Sequence, residues 1–115
     1  MTTDKELLEL SVKAAGIEIE PCTCSNKRWP FKIKNDFGID HWNPLASDGD
    51  ALRLAEQCSL TVCMDGIWTV SACDECRKDE IFVTQSIHEC GGSRITATRR
   101  AIVRAAAEIG KAANE

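Results

Sequence analysis

The chain has 115 residues, a net charge of −4, 43% hydrophobic and 28% charged residues. That length supports one modest core, and the expectation is a single domain over residues 1–115. The balance excludes a disordered chain, and no apolar run reaches the roughly 20 residues that a membrane-spanning helix needs. An acidic pI near 5.2 argues against a generic nucleic-acid binder, whose affinity comes from cationic contacts to phosphate.

The start, Met1-Thr2-Thr3-Asp4-Lys5-Glu6, has no basic stretch followed by an apolar one, so no signal peptide is expected and the host cell cytoplasm is the expected location. Thr3 as N-cap with Glu6 three positions later makes a capping box, predicting a helix over 4–15 that Gly16 ends. Its apolar residues are Leu7, Leu8, Leu10, Val12, Ala14 and Ala15. Residues 17–46 hold Pro21, Pro30 and Pro44 among Trp29, Phe31, Phe37 and Trp42, and read as an irregular segment with at most one edge strand, Trp29 to Ile33. Ser47 or Asp48 caps a second helix over 48–57, whose buried side is read as Ala51, Leu52, Leu54 and Ala55.

The period then changes. Ser59 to Met64, Ile67 to Cys73 and Glu80 to His88 read as strands, and Asp65-Gly66 predicts a two-residue hairpin turn. That turn sets Val62 opposite Thr69 and Cys63 opposite Trp68, with apolar residues on both faces, so cover is expected on both, at least in part. Asp74 to Asp79 is a charged connection, and Gly91-Gly92 closes the strand region. Ser93 precedes a final helix over 94–112, in which Ile95, Ile102 and Ile109 recur every seven residues and are expected to pack on the sheet. The fold class is therefore α/β of the α+β kind: a layered sandwich with an antiparallel sheet of three or four strands covered by three helices.

Two segments carry a resemblance. Trp42-Asn43-Pro44-Leu45 followed by Asp48-Gly49-Asp50-Ala51-Leu52-Arg53-Leu54-Ala55, and the closing Ala97-Thr98-Arg99-Arg100-Ala101-Ile102-Val103-Arg104-Ala105-Ala106-Ala107-Glu108-Ile109-Gly110, together resemble the phage ABA-sandwich family of small phage and prophage proteins. The order of elements agrees across most of the chain. The resemblance implies a layered α/β sandwich and a phage origin, and it implies no catalytic residues.

The seven cysteines lie outside that resemblance in what they do. An odd number without a secretion signal points to reduced thiols or a metal site rather than a disulfide framework. Cys73-x-x-Cys76 has the bite of half a zinc site, with Cys58, Cys22 and Cys24 as the nearest candidates for the other half and His41 and His88 as further ligands. The Asp65-Gly66 turn would set Cys58 across from Cys73. No second CxxC exists, so the favoured reading makes Cys58, Cys63 and Cys90 small buried hydrophobes, with no cofactor and zinc as the alternative. His88, two residues from Cys90, is too thin a basis for cysteine catalysis. Asp36, Asp40, Asp48 and Asp50 lack the spacing of a calcium loop, and helix capping explains the last two better. Arg94, Arg99, Arg100, Arg104 and Lys111 read as a solvated helix face, with no aromatic interleaving to suggest nucleic acid.

These observations lead to one expectation: a non-enzymatic phage or prophage accessory protein that binds a host protein, in particular an inhibitor of a host defence system such as CRISPR. The alternatives are a zinc-stabilised small regulator or nucleic-acid-associated phage protein, and a minor structural or morphogenetic phage component.

Overall fold

In a computed structural model, residues 4–16, 19–21, 31–35, 38–64, 68–73 and 82–113 are described. Helix α1 (Asp4–Ala15) opens the chain, and strands β1 (Ile19–Pro21), β2 (Phe31–Asn35) and β3 (Gly38–Trp42) follow it. Helix α2 (Asp48–Gln57) leads to β4 (Thr61–Cys63), β5 (Thr69–Cys73) and β6 (Phe82–Ser86). A 3-10 turn (His88–Cys90) precedes the long α3 (Arg94–Ala113). The α+β class and the three helices are as the sequence predicts. No helix among the described residues is long and apolar enough to cross a membrane. Thr3, Trp29, Phe37, the Asp65-Gly66 turn and the Asp74–Asp79 connection lie outside the described residues.

The strands form two antiparallel three-stranded sheets, β1-β2-β3 and β4-β5-β6. The first corrects the reading of 17–46 as irregular. Phe31 and Ile33 alternate with Lys32 and Lys34 at the strand period, and Phe31 lies opposite Trp42. Pro21 is tolerated because β1 is an edge strand that pairs with β2 alone.

The second sheet corrects the hairpin. Val62 lies opposite Ala72, not Thr69, and Cys63 lies opposite Ser71, so the register slips by three residues (72 against 69) from a two-residue Asp65-Gly66 turn. An odd slip exchanges the faces of a strand. Val62 thereby joins Val70, Ala72 and Val83 on the buried face, while Thr61, Cys63, Ser71, Cys73, Phe82 and Thr84 share the other. That outer face is largely exposed, with Ser71 and Cys73 half-buried, so its cover is partial. Its residues are mostly Thr, Ser and Cys, which tolerate water.

What shortens β4 is the end of α2. Ser59 takes a left-handed φ of 55°. Its N–H donates to the Glu56 carbonyl at 3.1 Å and the Leu60 N–H donates to the Ala55 carbonyl at 2.9 Å, which is the Schellman pattern of a helix stop. A side chain costs about 1 kcal/mol in this conformation. Ser59→Gly is therefore expected to stabilise the protein by roughly 0.5–1 kcal/mol, read as a raised denaturation midpoint at unchanged m-value.

Helix α3 is the centre of the molecule, packing on β5 and β6 and also on α1 and α2. Ala97, Ala101 and Ala105, each fully buried, recur every four residues and meet Val70, Ala72, Val83 and Ile87. Ile102, Val103, Ala106 and Ile109 point elsewhere, into a cluster with Leu8, Val12, Trp42, Leu54 and Ala55. The isoleucines were expected on the sheet; the alanine row takes that place because methyl side chains let the helix axis approach closely. Ile95 stays 43% exposed. Leu60 and Val62 pack against both clusters and join them.

Candidate functional site: an apolar groove between α2, β4 and α3

The groove begins with a corner that the sequence encodes locally. Trp42 is buried at the end of β3. After it, the Ala46 and Ser47 N–H groups donate to the Asn43 carbonyl at 3.0 and 2.8 Å, and the Leu45 N–H donates to Asn43 Oδ1 at 3.0 Å. Ser47 then caps α2, its Oγ accepting from the Asp50 N–H at 3.3 Å. The buried Asp50 carboxylate closes the corner. Its Oδ2 accepts the Asn43 N–H at 3.0 Å, and its Oδ1 accepts from Arg53 at 3.0 Å. Ser47 thus caps α2, which corrects the reading of Asp48 and Asp50 as capping residues: Asp50 holds the Asn43 N–H and Arg53, and Asp48 pairs with Arg99 of α3; Asp36 and the side chain of Asp40 lie outside the described residues.

Arg99 of α3 ties this corner to the rest of the molecule. Its Nε donates to the Leu45 carbonyl at 3.0 Å, its Nη1 pairs with Asp48, and its Nη2 donates to Thr96 Oγ1 at 3.2 Å. The two segments that carry the family resemblance are therefore bonded to each other across 51 residues. Their shared role is structural: they fix α2 against the first half of α3.

Holding those helices at that distance leaves a groove of about 250 Å³ between α2, β4 and α3. Ala51 and Leu52 line it from α2, Val62 and Met64 from β4 and beyond, and Ile95, Thr98, Arg99 and Ile102 from α3. Three large apolar side chains stand open around it: Leu52 is 70% exposed, Ile95 43% and Met64 40%. The sequence placed Leu52 on the buried side of α2 and Met64 on a covered sheet face, and the structure corrects both. Leu52 falls outside the stripe of Ala51, Leu54 and Ala55 that faces α3 and the core.

The groove's polar groups are occupied. Asp48 and Arg99 pair with each other, and Thr98 Oγ1 donates to the Arg94 carbonyl at 2.8 Å. What the groove offers a ligand is apolar contact.

A second, polar cleft of about 360 Å³ lies on the far side of α3. Gln85 points inward from the buried face of β6 and is only 4% exposed. Arg104 satisfies it, donating to Gln85 Oε1 at 2.7 Å and to the Thr84 carbonyl at 3.2 Å. Arg100 pairs with Asp4 at 3.0 Å. Arg99, Arg100 and Arg104 are thus spent on internal partners, which corrects their reading as one solvated face; Arg94 and Lys111 are exposed.

The cysteines separate into two kinds. Cys58 is the C-cap of α2 and fully buried in the helical cluster, as a small hydrophobe would be, and Cys90 is half-buried against the sheet-side cluster. Cys63 is exposed on β4, against expectation. The register sets Thr61, not Cys58, across from Cys73, so the hairpin geometry that grouped those two cysteines does not hold. Cys22, Cys24 and Cys76 lie outside the described residues, as does the side chain of His41. Strand β6 stops at Ser86, and His88 and Cys90 sit on a 3-10 turn. Two residues apart at three residues per turn, their side chains diverge rather than share a face. Among the described residues no three His, Cys, Asp or Glu side chains converge on one point.

Comparison with protein-family models, with curated protein sequences and with solved structures gives no match for this chain.

Proposed function

We propose that the protein is a non-enzymatic binding module that seats a partner protein on the apolar groove. The observation that carries this is the gathering of Leu52, Met64 and Ile95, three large apolar side chains left open around one concave surface. Burying a side chain of this size is worth about 1.5–3 kcal/mol, so a partner covering all three gains a substantial hydrophobic anchor. Apolar patches rimmed by polar groups mark interaction sites more often than chance exposure does. The resemblance to phage ABA-sandwich proteins supports a phage or prophage accessory role in the host cytoplasm. By analogy with small phage proteins that act as stoichiometric inhibitors, the partner is a host protein within a defence system such as CRISPR, where an inhibitor without chemistry acts by occupying a surface. The net charge of −4 favours a basic target.

The test compares two versions of the tagged protein in host lysate. Leu52→Glu with Met64→Lys places charges in the groove at exposed positions, so the melting temperature should stay within about 2 °C of the parent. A partner captured by the parent should be lost from the variant. A partner retained by a stably folded variant would remove the groove from the reading.

A further inference from the structure

We propose that Cys63 and Cys73 form a two-thiolate site for a soft d10 cation of the zinc and cadmium kind on the open face of the β4-β5-β6 sheet. The site is separate from the groove and does not depend on it.

The argument starts from where these two thiols stand. Cysteine is among the most buried residue types, and Cys58 shows that use here, fully enclosed among apolar side chains. Cys63 is exposed and Cys73 half-buried, on the largely exposed face that they share with Thr61, Ser71 and Thr84. Packing does not account for an exposed thiol at Cys63.

The register then fixes their relation. Cys63 lies opposite Ser71 and Cys73 opposite Thr61, so the two cysteines are diagonal neighbours whose side chains share one face. Diagonal neighbours in an antiparallel pair have Cα atoms about 7–8 Å apart. A disulfide requires Cα atoms within about 6.8 Å, so direct oxidation of this pair needs the strands to move. A bridging ion has no such requirement. With metal–sulfur bonds of about 2.3 Å and tetrahedral angles, it holds two sulfurs about 3.8 Å apart. Thiols turned toward each other across this diagonal would reach that separation without a change of register. Thiolates select soft d10 ions over calcium and magnesium. Binding is balanced as two thiols and one divalent cation giving a bis-thiolate complex and two protons released to solvent, with water completing the coordination.

The probe is Cd²⁺ added to the reduced full-length chain, read by thiolate-to-metal charge-transfer absorption in the ultraviolet. A variant with Cys22, Cys24 and Cys76 all replaced by Ser should still bind one cation per chain with this absorption. Adding Cys63→Ser to it should abolish the band, and Cys90→Ser should leave it in place. Far-UV circular dichroism checks that each variant folds, and the exposed Cys63→Ser change is expected to be neutral for stability. Loss of the band from the triple variant would overturn the proposal, because the ion would then belong to the other thiols. Persistence of the band after Cys63→Ser in a folded protein would overturn it as well.

Discussion

Gly110→Ala is expected to destabilise the protein by about 3 kcal/mol, although alanine is the better helix former by about 1 kcal/mol. Gly110 lies in the last turns of α3, where α1 crosses it. Asp4 at the start of α1 pairs with Arg100, and Leu10 and Ala14 near its end meet Gly110, so the two helices run in the same sense. A methyl group on Gly110 would fall within the van der Waals shell of the Leu10 carbonyl oxygen and 2.9 Å from its carbonyl carbon. Both atoms are helix backbone, so no side chain can rotate away. The helices must part, and Leu8, Val12 and Ile109 lose contacts together. The expected fall in melting temperature is roughly 10 °C. Gly49→Ala is the matched control. The nearest atoms to its new methyl are those of the Arg53 guanidinium, at 3.3 Å, the far end of a long and largely exposed side chain that can give by a few tenths of an ångström beside Asp50. There the helix propensity prevails, and the melting temperature should hold or rise. If both substitutions behave alike, the close crossing of α1 and α3 is not what Gly110 serves.

The helices were legible in the sequence because their signals are local. Ser47 marks the start of α2 through a bond to the Asp50 N–H three residues on, and Gly16 marks the end of α1 with its φ of 71°. The sheets were less legible because register is decided elsewhere. Asp65-Gly66 is a strong turn signal, yet the Schellman stop at Ser59 and the burial of Val62 against α3 set β4 three residues away from the pairing it implies. In the first sheet the prolines masked a strand whose alternation was present in Phe31, Lys32, Ile33 and Lys34. The candidate groove was hidden for a related reason. Leu52 and Leu54 are equally apolar in sequence, and only the placement of α2 against α3 decides that Leu54 is buried and Leu52 is open. Likewise Arg99 read as a surface cation, since its acceptors at Leu45 and Asp48 are about fifty positions away.

Ile102→Ala is expected to cost roughly 2–5 kcal/mol, whereas Ile95→Ala should change stability by no more than about 0.5 kcal/mol. Sequence spacing treats the two as equivalent, seven residues apart on one helix. Their surroundings differ. Ile102 is 4% exposed, wedged in the cluster that α1, α2 and α3 share, and its atoms also floor the groove. Truncation there removes three carbons from the core, and the neighbours that would have to close the space are held by the Arg99 bonds to α2 and the tight α1 crossing. The site collapses poorly, which puts the cost toward the upper part of the range. Ile95 stands in the first turn of α3 with 43% of its surface in water, so truncation there forfeits little burial, and alanine's helix propensity offsets part of it. The same pair separates folding from recognition. With the partner in hand, Ile95→Ala should weaken binding at unchanged melting temperature, and Ile102→Ala should lower the melting temperature first. Denaturant titration of both variants beside a binding isotherm makes the measurement. Equal losses of stability would mean that α3 is rotated relative to its neighbours, and that the groove between α2, β4 and α3 is not formed as described.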